Sequence, residues 1–497
     1  MPPLPPFTAN SFIASDNSRG LFPLDSTTLY ASHGSQELES YIVDAILDEN
    51  NRTAAFLTAP VCYALKDSVH TRKVLGLDPI ATYFLYFFVN QHAKTHFQTT
   101  ASSDRQMFGY AFKNRRPVSS PTEQYHEFRR RSYELKARFR YFARVDIANC
   151  FNSFYHHDID RYISDNISED AAKQFGQFLR EINSGTSVNC FPQGTYPAKA
   201  IGNRFLSFIE ENARLKCPAI IRFLDDVFLF SSNESILRDD IYMLQEILGN
   251  HNLYLNPGKT VFGTLSEHAK AKRIDAIKRR LLEKREARKS YDVPSEEDDE
   301  ADDESVLEPE ESHYLEHLVD QPNVPEEDLE LALSLVDDED TVMKALGHVC
   351  ANNRHLMNHI YHLFGRVEID NDSSWELIRK RIFSKDAHEH ELFWLAKIVS
   401  DYYDFNSVAA EALIQIYTHK NSSDFVRAVV LENPNNGLGL LEIKENQLRK
   451  SPGDIAGAAA LMGIRKLAKG RRNQIGKYAA RSGQHVKILA DIVSKID

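Results

Sequence analysis

Apolar and polar positions follow two textures along this chain. From Phe108 to about Thr264, short β-prone apolar runs such as Tyr141–Asp146 alternate with stretches of helical spacing. That is the texture of an α+β domain, in which a sheet buries its faces against helices. Ala219–Phe230 reads as a hairpin, because two apolar runs flank a pair of acids. Beyond residue 312 the apolar residues recur at helical spacing in Asp328–Val336, Val342–Cys350, Leu377–Phe383, Glu391–Val399 and Val408–Tyr417. Short helices with short connections predict a stacked all-α, HEAT-like array, although no strict repeat is present. Ser373-Ser-Trp-Glu376 fits a capping box before one of these helices. The first hundred residues mix turn-rich segments with helical stretches such as Ile80–His92 and carry no motif.

Charge changes this picture in one place. The formal net charge is −12, but residues 296–311 hold eleven acids and no base, so the rest of the chain sums to −12 + 11 = −1. The acidic run cannot bury enough apolar surface to order itself and is expected to be an exposed linker. Basic clusters then stand out at Lys113–Arg116, Arg129–Arg131, Lys270–Lys289 and Arg465–Arg472, so a phosphate-rich partner is compatible with the composition. Lys270–Lys289 reads as a basic helix with a thin stripe of Ile274, Ile277 and Leu281. No apolar run approaches the roughly 20 residues that span a bilayer, and the proline-rich N-terminus does not resemble a signal peptide. The five cysteines (Cys62, Cys150, Cys190, Cys217, Cys350) are scattered without a CxxC pair. That argues for a reducing cytoplasm, against zinc, and for small buried apolar roles.

Four segments carry chemistry. Asp225 and Asp226 lie between greasy runs, where they cost solvation energy unless the tip is wet or holds a cation, for which a hard divalent ion suits. Taken alone, the pair is also what a surface turn uses. Tyr141–Asp146 is a second apolar run that ends in one acid, and metal-assisted phosphoryl transfer needs carboxylates from separate strands converging on two cations. In Phe191–Asn203 a Pro-Gln-Gly turn opens a helix expected to reach about Ala213; its glycine permits close approach of backbone and sugar, and Gln193 can hydrogen-bond a nucleotide. Leu253–Lys259 sets a lysine after a turn, where it can protonate a leaving pyrophosphate.

The order strand-Asp, Gln-Gly turn, Asp-Asp hairpin, Asn-x-x-Lys resembles motifs A to D of the reverse transcriptase palm, over about residues 108–264. With the charge and periodicity above, the resemblance gives a division into 1–107 (N-terminal region, part of the fingers), 108–290 (palm and basic helix), 291–312 (acidic linker or loop) and 313–497 (helical domain with a basic end). It implies Asp146 and Asp225 as principal ligands of two Mg²⁺ ions, or Mn²⁺, with Ile147 in the metal shell and Asp226 less direct. Lys259 would act near the pyrophosphate, and Gln193 and Gly194 would line the nucleotide pocket. Phe151 falls at the aromatic steric gate and implies dNTP substrates and a DNA product. Lys113, Arg115 and Arg116 are the candidates for the triphosphate clasp. The sequence departs from the family at Phe223-Leu224, where tyrosine and alanine are common, and at Ala198-Lys199, where Ser-Pro is usual.

A divergent palm followed by helical repeats further resembles the abortive-infection and related defence-associated reverse transcriptases of bacteria. That likeness implies anti-phage defence, a cytoplasmic homo-oligomer and no membrane. Some members prime on a protein hydroxyl, for which Tyr30, Tyr41 and Tyr478 are conceivable here, and others copy a partner non-coding RNA. The alternative is a catalytically degenerate palm that binds nucleic acid as a scaffold. A phosphotransferase or cyclase is disfavoured, because it would not need both the Gln-Gly turn and the lysine.

Overall fold

The computed structural model describes residues 8–98, 103–113, 116–117, 121–186, 191–264, 277, 280–281, 284–285, 307–321, 326–336, 338–367, 369 and 371–496. Two compact units divide the chain. The first comprises Met1–Phe12, Ala55–Ala59 and Tyr83–Ile274; the second comprises Ile13–Ala54, Pro60–Thr82 and Asp275–Asp497. The N-terminal hundred residues, expected together as part of the fingers, are therefore shared between the two.

The first unit is built on a five-stranded sheet. From the first sheet strand onward its main elements are β1 (Arg105–Phe108), α1 (Pro121–Arg138), β2 (Tyr141–Asp146), α2 (Cys150–Ser153), α3 (His156–Asn166), α4 (Glu169–Ile182), α5 (Tyr196–Phe205), β3 (Ala219–Phe223), β4 (Asp226–Ser231), α6 (Glu234–Gly249) and β5 (Val261–Thr264). The sheet order is β1-β3-β4-β2-β5. β1 runs parallel to β3, and the other pairings are antiparallel. Side chains alternate across a strand, which turns the apolar patterns into two buried faces. Phe142, Phe228, Phe230, Ile221 and Phe108 join Phe128, Leu135 and Phe139 in one core under α1. On the opposite register Ala143, Val145, Val227 and Leu229 are fully buried, and α6 packs against β2 and β4.

The helix after the Gln-Gly turn is shorter than its apolar spacing predicts. It runs Tyr196–Phe205 and gives way to a 3₁₀ turn at Leu206–Phe208. The cause is Arg105, whose guanidinium donates to the carbonyls of Glu210, Asn212 and Cys217 at 3.4, 2.9 and 3.0 Å. A chain gathered around one cation cannot continue as a regular helix.

Among the described residues the second unit is helical apart from a hairpin of Val61–Leu65 with Thr71–Leu75. Its helices come from both ends of the sequence. Tyr30, fully buried on the helix Asp25–Ser40, donates its hydroxyl to the Ala458 carbonyl at 2.8 Å. Glu432 accepts from the backbone N–H of Asp25 and Ser26 at 3.1 and 2.8 Å, satisfying the first turn of that helix. Two sequence readings are corrected here. The acidic run does not end as a loop: Glu308 caps the helix Pro309–Val319, and Glu311 is buried against the Lys284 ammonium at 2.6 Å. Ser373 is no cap, because its helix already begins at Asn371 and the hydroxyl of the buried Ser374 meets Tyr403 at 2.7 Å. Residues 296–306 and most of Lys270–Lys289 lie outside the described residues.

Candidate active site

Pairing of β2 with β4 sets Asp146 directly opposite Asp226. Asp225 sits in the two-residue turn that joins β3 to β4, beside Leu224, whose φ of 53° is left-handed. A branched side chain there is strained, and the strain is held from below by Arg222. This arginine is completely buried and donates to the Leu224 carbonyl at 3.0 Å, to Asn203 Oδ1 at 2.8 Å and to both carboxylate oxygens of Glu210 at 2.7 and 2.8 Å. Asn203 in turn donates to the carbonyls of Phe108 and Gly109 at 3.0 and 2.9 Å. A single polar network thus ties α5, β1 and the turn together. The Ile147 N–H donates to the Asp225 carbonyl at 3.1 Å, which brings the end of β2 against the turn.

The three carboxylates differ in their partners. Asp146 accepts from the Lys259 ammonium at 3.0 Å and from Asn256 Nδ2 at 3.2 Å, and its carbonyl takes the Asn256 N–H at 2.8 Å. Asp226 is clasped by the Arg144 guanidinium, through Nε at 3.2 Å and Nη2 at 3.0 Å. Near Arg144 the Lys136 ammonium stacks over the rings of Phe142 and Phe228, and burial, followed by Arg129 and Arg144, pulls it down to about 8. The Asp225 carboxylate meets no side-chain donor among the described residues. Burial and then the neighbouring Asp146 charge push it up to about 6. No ready-made cage of three His, Cys, Asp or Glu side chains exists among the described residues, and Lys259 and Arg144 engage oxygens of two of the aspartates. A half-buried carboxyl lifted by desolvation and by a like charge, and opposed only in part by the Lys259 charge, is nevertheless a donor set that a divalent ion fits.

Phe151 is the second residue of the short helix α2, which begins at Cys150 after Asn149 in the left-handed region at φ 49°. Its carbonyl accepts the Phe191 N–H at 3.1 Å, and its ring lies 5.3 Å from that of Phe154 and 6.2 Å from that of Phe191. Gln193 Nε2 donates to Asn152 Oδ1 at 3.4 Å, and Gly194 has φ 109°, a conformation that explains the glycine. The Gln-Gly turn is thereby brought to α2. Thr195 caps α5 by accepting the Ala198 N–H at 3.4 Å. Lys199 reaches the ring of Tyr110.

Lys113 and Arg116 form the separate two-residue pairing Phe112–Lys113 with Arg116–Pro117. No described contact joins them to the aspartates, and Arg115 lies outside the described residues. Of the three tyrosines considered for priming, Tyr30 and Tyr41 are buried, while Tyr478 is 54% exposed. Arg144, Gly202, Asn203 and Arg222 lie within the sequence segments above without a role assigned to them, and Asn256 entered only as the first residue of Asn-x-x-Lys. Arg144 and Arg222 each carry a signal, as a charge inside an apolar strand, and the completely buried Arg222 must be paired.

The reverse transcriptase (RNA-dependent DNA polymerase) family matches residues 90–315, a span that contains Asp146, Asp225, Asp226, the Gln-Gly turn and Lys259. No curated protein sequence matches the chain. Among solved structures it is similar to telomerase from Candida albicans in complex with a fragment of telomeric RNA, at 10% identity and TM-score 0.28, covering 83% of this chain and 69% of that one. Apo telomerase from Candida tropicalis gives 10% identity and TM-score 0.30, covering 93% and 74%. At these scores neither likeness bears on function. Residues 90–315 are a reverse transcriptase domain, and the chain is an enzyme of the RNA-directed DNA polymerase and nucleotidyltransferase type.

Proposed function

We propose that the chain extends a 3′ hydroxyl with deoxynucleotides, at a site formed by Asp146, Asp225 and the Gln-Gly turn. The attacking oxygen bonds to the α-phosphorus, the bond to the β-phosphate oxygen breaks, and pyrophosphate leaves. Asp146 and Asp225, with the Ile147 backbone beside them, would hold two divalent ions, Mg²⁺ or Mn²⁺. Such ions neutralise the triphosphate and make the hydroxyl a better nucleophile. Asp226 is a lesser ligand on this reading, because Arg144 engages it. Lys259 releases Asp146 when nucleotide binds and gives its proton to the departing pyrophosphate oxygen. Phe151 crowds a 2′-hydroxyl, Gln193 and Gly194 line the base and sugar pocket, and Lys113, Arg115 and Arg116 contact the phosphates.

The observation that supports this reading above others is the meeting of Asp146 with the Asp225 turn and Lys259 at one end of the sheet. Purified protein with Mg²⁺ and labelled dNTPs, with and without RNA that co-purifies, should incorporate label, and Asp225→Ala should abolish it. Undiminished incorporation by Asp225→Ala would remove the site. None under any condition would favour a nucleic-acid-binding scaffold.

The helical second unit supports a place among the defence-associated reverse transcriptases. On that reading the enzyme is a cytoplasmic homo-oligomer that acts against phage, primed by a protein hydroxyl or templated by a non-coding RNA. Among the described residues no helix is long and apolar enough to cross a membrane. Phage plating on cells that express the wild type and Asp225→Ala tests the role, and covalent DNA on the purified chain tests the primer.

A further inference from the structure

We infer that Gly202, on α5, sets the position of Phe151 and so determines how strictly the site separates deoxynucleotides from ribonucleotides. The inference rests on the reading of Phe151 as the ring beside the sugar. Gly202 is buried in the middle of α5. Its φ is not in the left-handed region, so the backbone does not require glycine. A helix interior prefers alanine to glycine by roughly 1 kcal/mol, and this helix does use alanine at two other fully buried positions, Ala198 and Ala200. What distinguishes position 202 is space. A Cβ there would lie 2.8 Å from Phe151 Cε1, 3.1 Å from its Cζ and 3.1 Å from Phe154 Cε2.

The Phe151 ring cannot absorb that contact locally. Phe154 and Phe191 flank it, and its carbonyl is tied to the Phe191 N–H. It is nevertheless part exposed, so one side of the ring remains open, and a methyl on α5 must drive it that way. Asp146 stands five residues upstream on the adjoining strand, so a displaced ring narrows the room left for a sugar next to the carboxylates. Gly202 is thus a positioning residue that acts through Phe151.

The test compares Gly202→Ala, Phe151→Ala and the double variant by steady-state kinetics with each dNTP and its matching ribonucleotide. Gly202→Ala is expected to raise the KM for dNTPs about tenfold or more, with kcat little changed and ribonucleotides used less still. Phe151→Ala should relax discrimination. The double variant should behave as Phe151→Ala alone, because without the ring the added methyl has nothing to displace. If Phe151→Ala leaves discrimination unchanged, the reading of that ring fails and this inference falls with it. If Phe151→Ala relaxes discrimination but Gly202→Ala matches wild type, or its KM penalty persists in the double variant, the inference alone is overturned. Should Gly202→Ala not fold, a thermal melt decides the matter. Recovery of folding in the double variant supports the ring as the obstacle, and no recovery overturns it.

Discussion

Lys259 holds the Asp146 carboxylate at 3.0 Å, an oxygen that the proposed reaction needs for a metal. One side chain therefore has two opposed effects, and they separate on mutation. Lys259→Gln is expected to lower kcat by about a hundredfold, the scale of a lost general acid, while nucleotide-free protein binds Mn²⁺ more tightly than wild type. Electron paramagnetic resonance titration of Mn²⁺ reads the second effect; unchanged or weaker binding would show that Lys259 does not compete with the ion. Asp160 gives a pH signature in the same unit. Among the described residues its Oδ1 is buried without a hydrogen-bond partner against Gly176, and burial pushes the carboxyl up from 3.8 to about 6, opposed by Arg180 and His157. Because the folded value is the higher one, the protonated group favours the fold, and that contribution is lost as pH rises through about 6. Asp160→Asn should therefore be more stable than wild type at pH 8 by about 1 kcal/mol, after allowance for its partial exposure. Urea titrations at pH 8 and pH 5 should show the advantage shrinking at the lower value; an equal gain at both would assign it to something other than ionisation.

Elements show which parts of the site the sequence could announce. β2 and the β3–β4 hairpin are legible because an apolar run stops at an acid, and both facts are local. The pairing of Asp146 with Asp226 is not local; it follows from register, which a strand acquires only beside its neighbour. Arg144 could not be matched to Asp226 without that register, nor Gly202 to Phe151 without knowing that α5 lies against α2. Ser373-Ser-Trp-Glu376 misled because a capping pattern does not reveal whether its helix has already begun. Arg222 is a charge in an apolar run, but nothing local names its partners. Its removal is expected to be severe: Arg222→Met leaves Glu210 buried and charged and should cost about 3–5 kcal/mol. Arg222→Met with Glu210→Leu should recover part of that. Denaturant titration measures both, and a loss under about 1 kcal/mol for the single change would mean that the network does not support the turn.

At the scale of the whole molecule the two units carry separate cores, and a chain of this kind departs from two-state unfolding. Calorimetry is expected to resolve more than one transition. Mg²⁺ with a dNTP at a hundred times the dissociation constant should stabilise the unit bearing Asp146 and Asp225 by about 2.7 kcal/mol and leave the other transition in place. A shift of both together would show that the units melt as one. The division also has a consequence for biogenesis. Tyr30 and the Ala458 carbonyl it bonds are 428 residues apart, so at ordinary elongation rates the ribosome needs about 20 to 90 seconds to deliver the partner. During that interval Tyr30, Ile42 and Ile46, all destined for burial, wait as bare greasy surface. The polymerase half, nearly contiguous in the message, completes itself meanwhile. A nascent chain stalled late in translation would therefore combine a finished catalytic body with an orphaned amino-terminal helix, the kind of segment that chaperones and proteases recognise first.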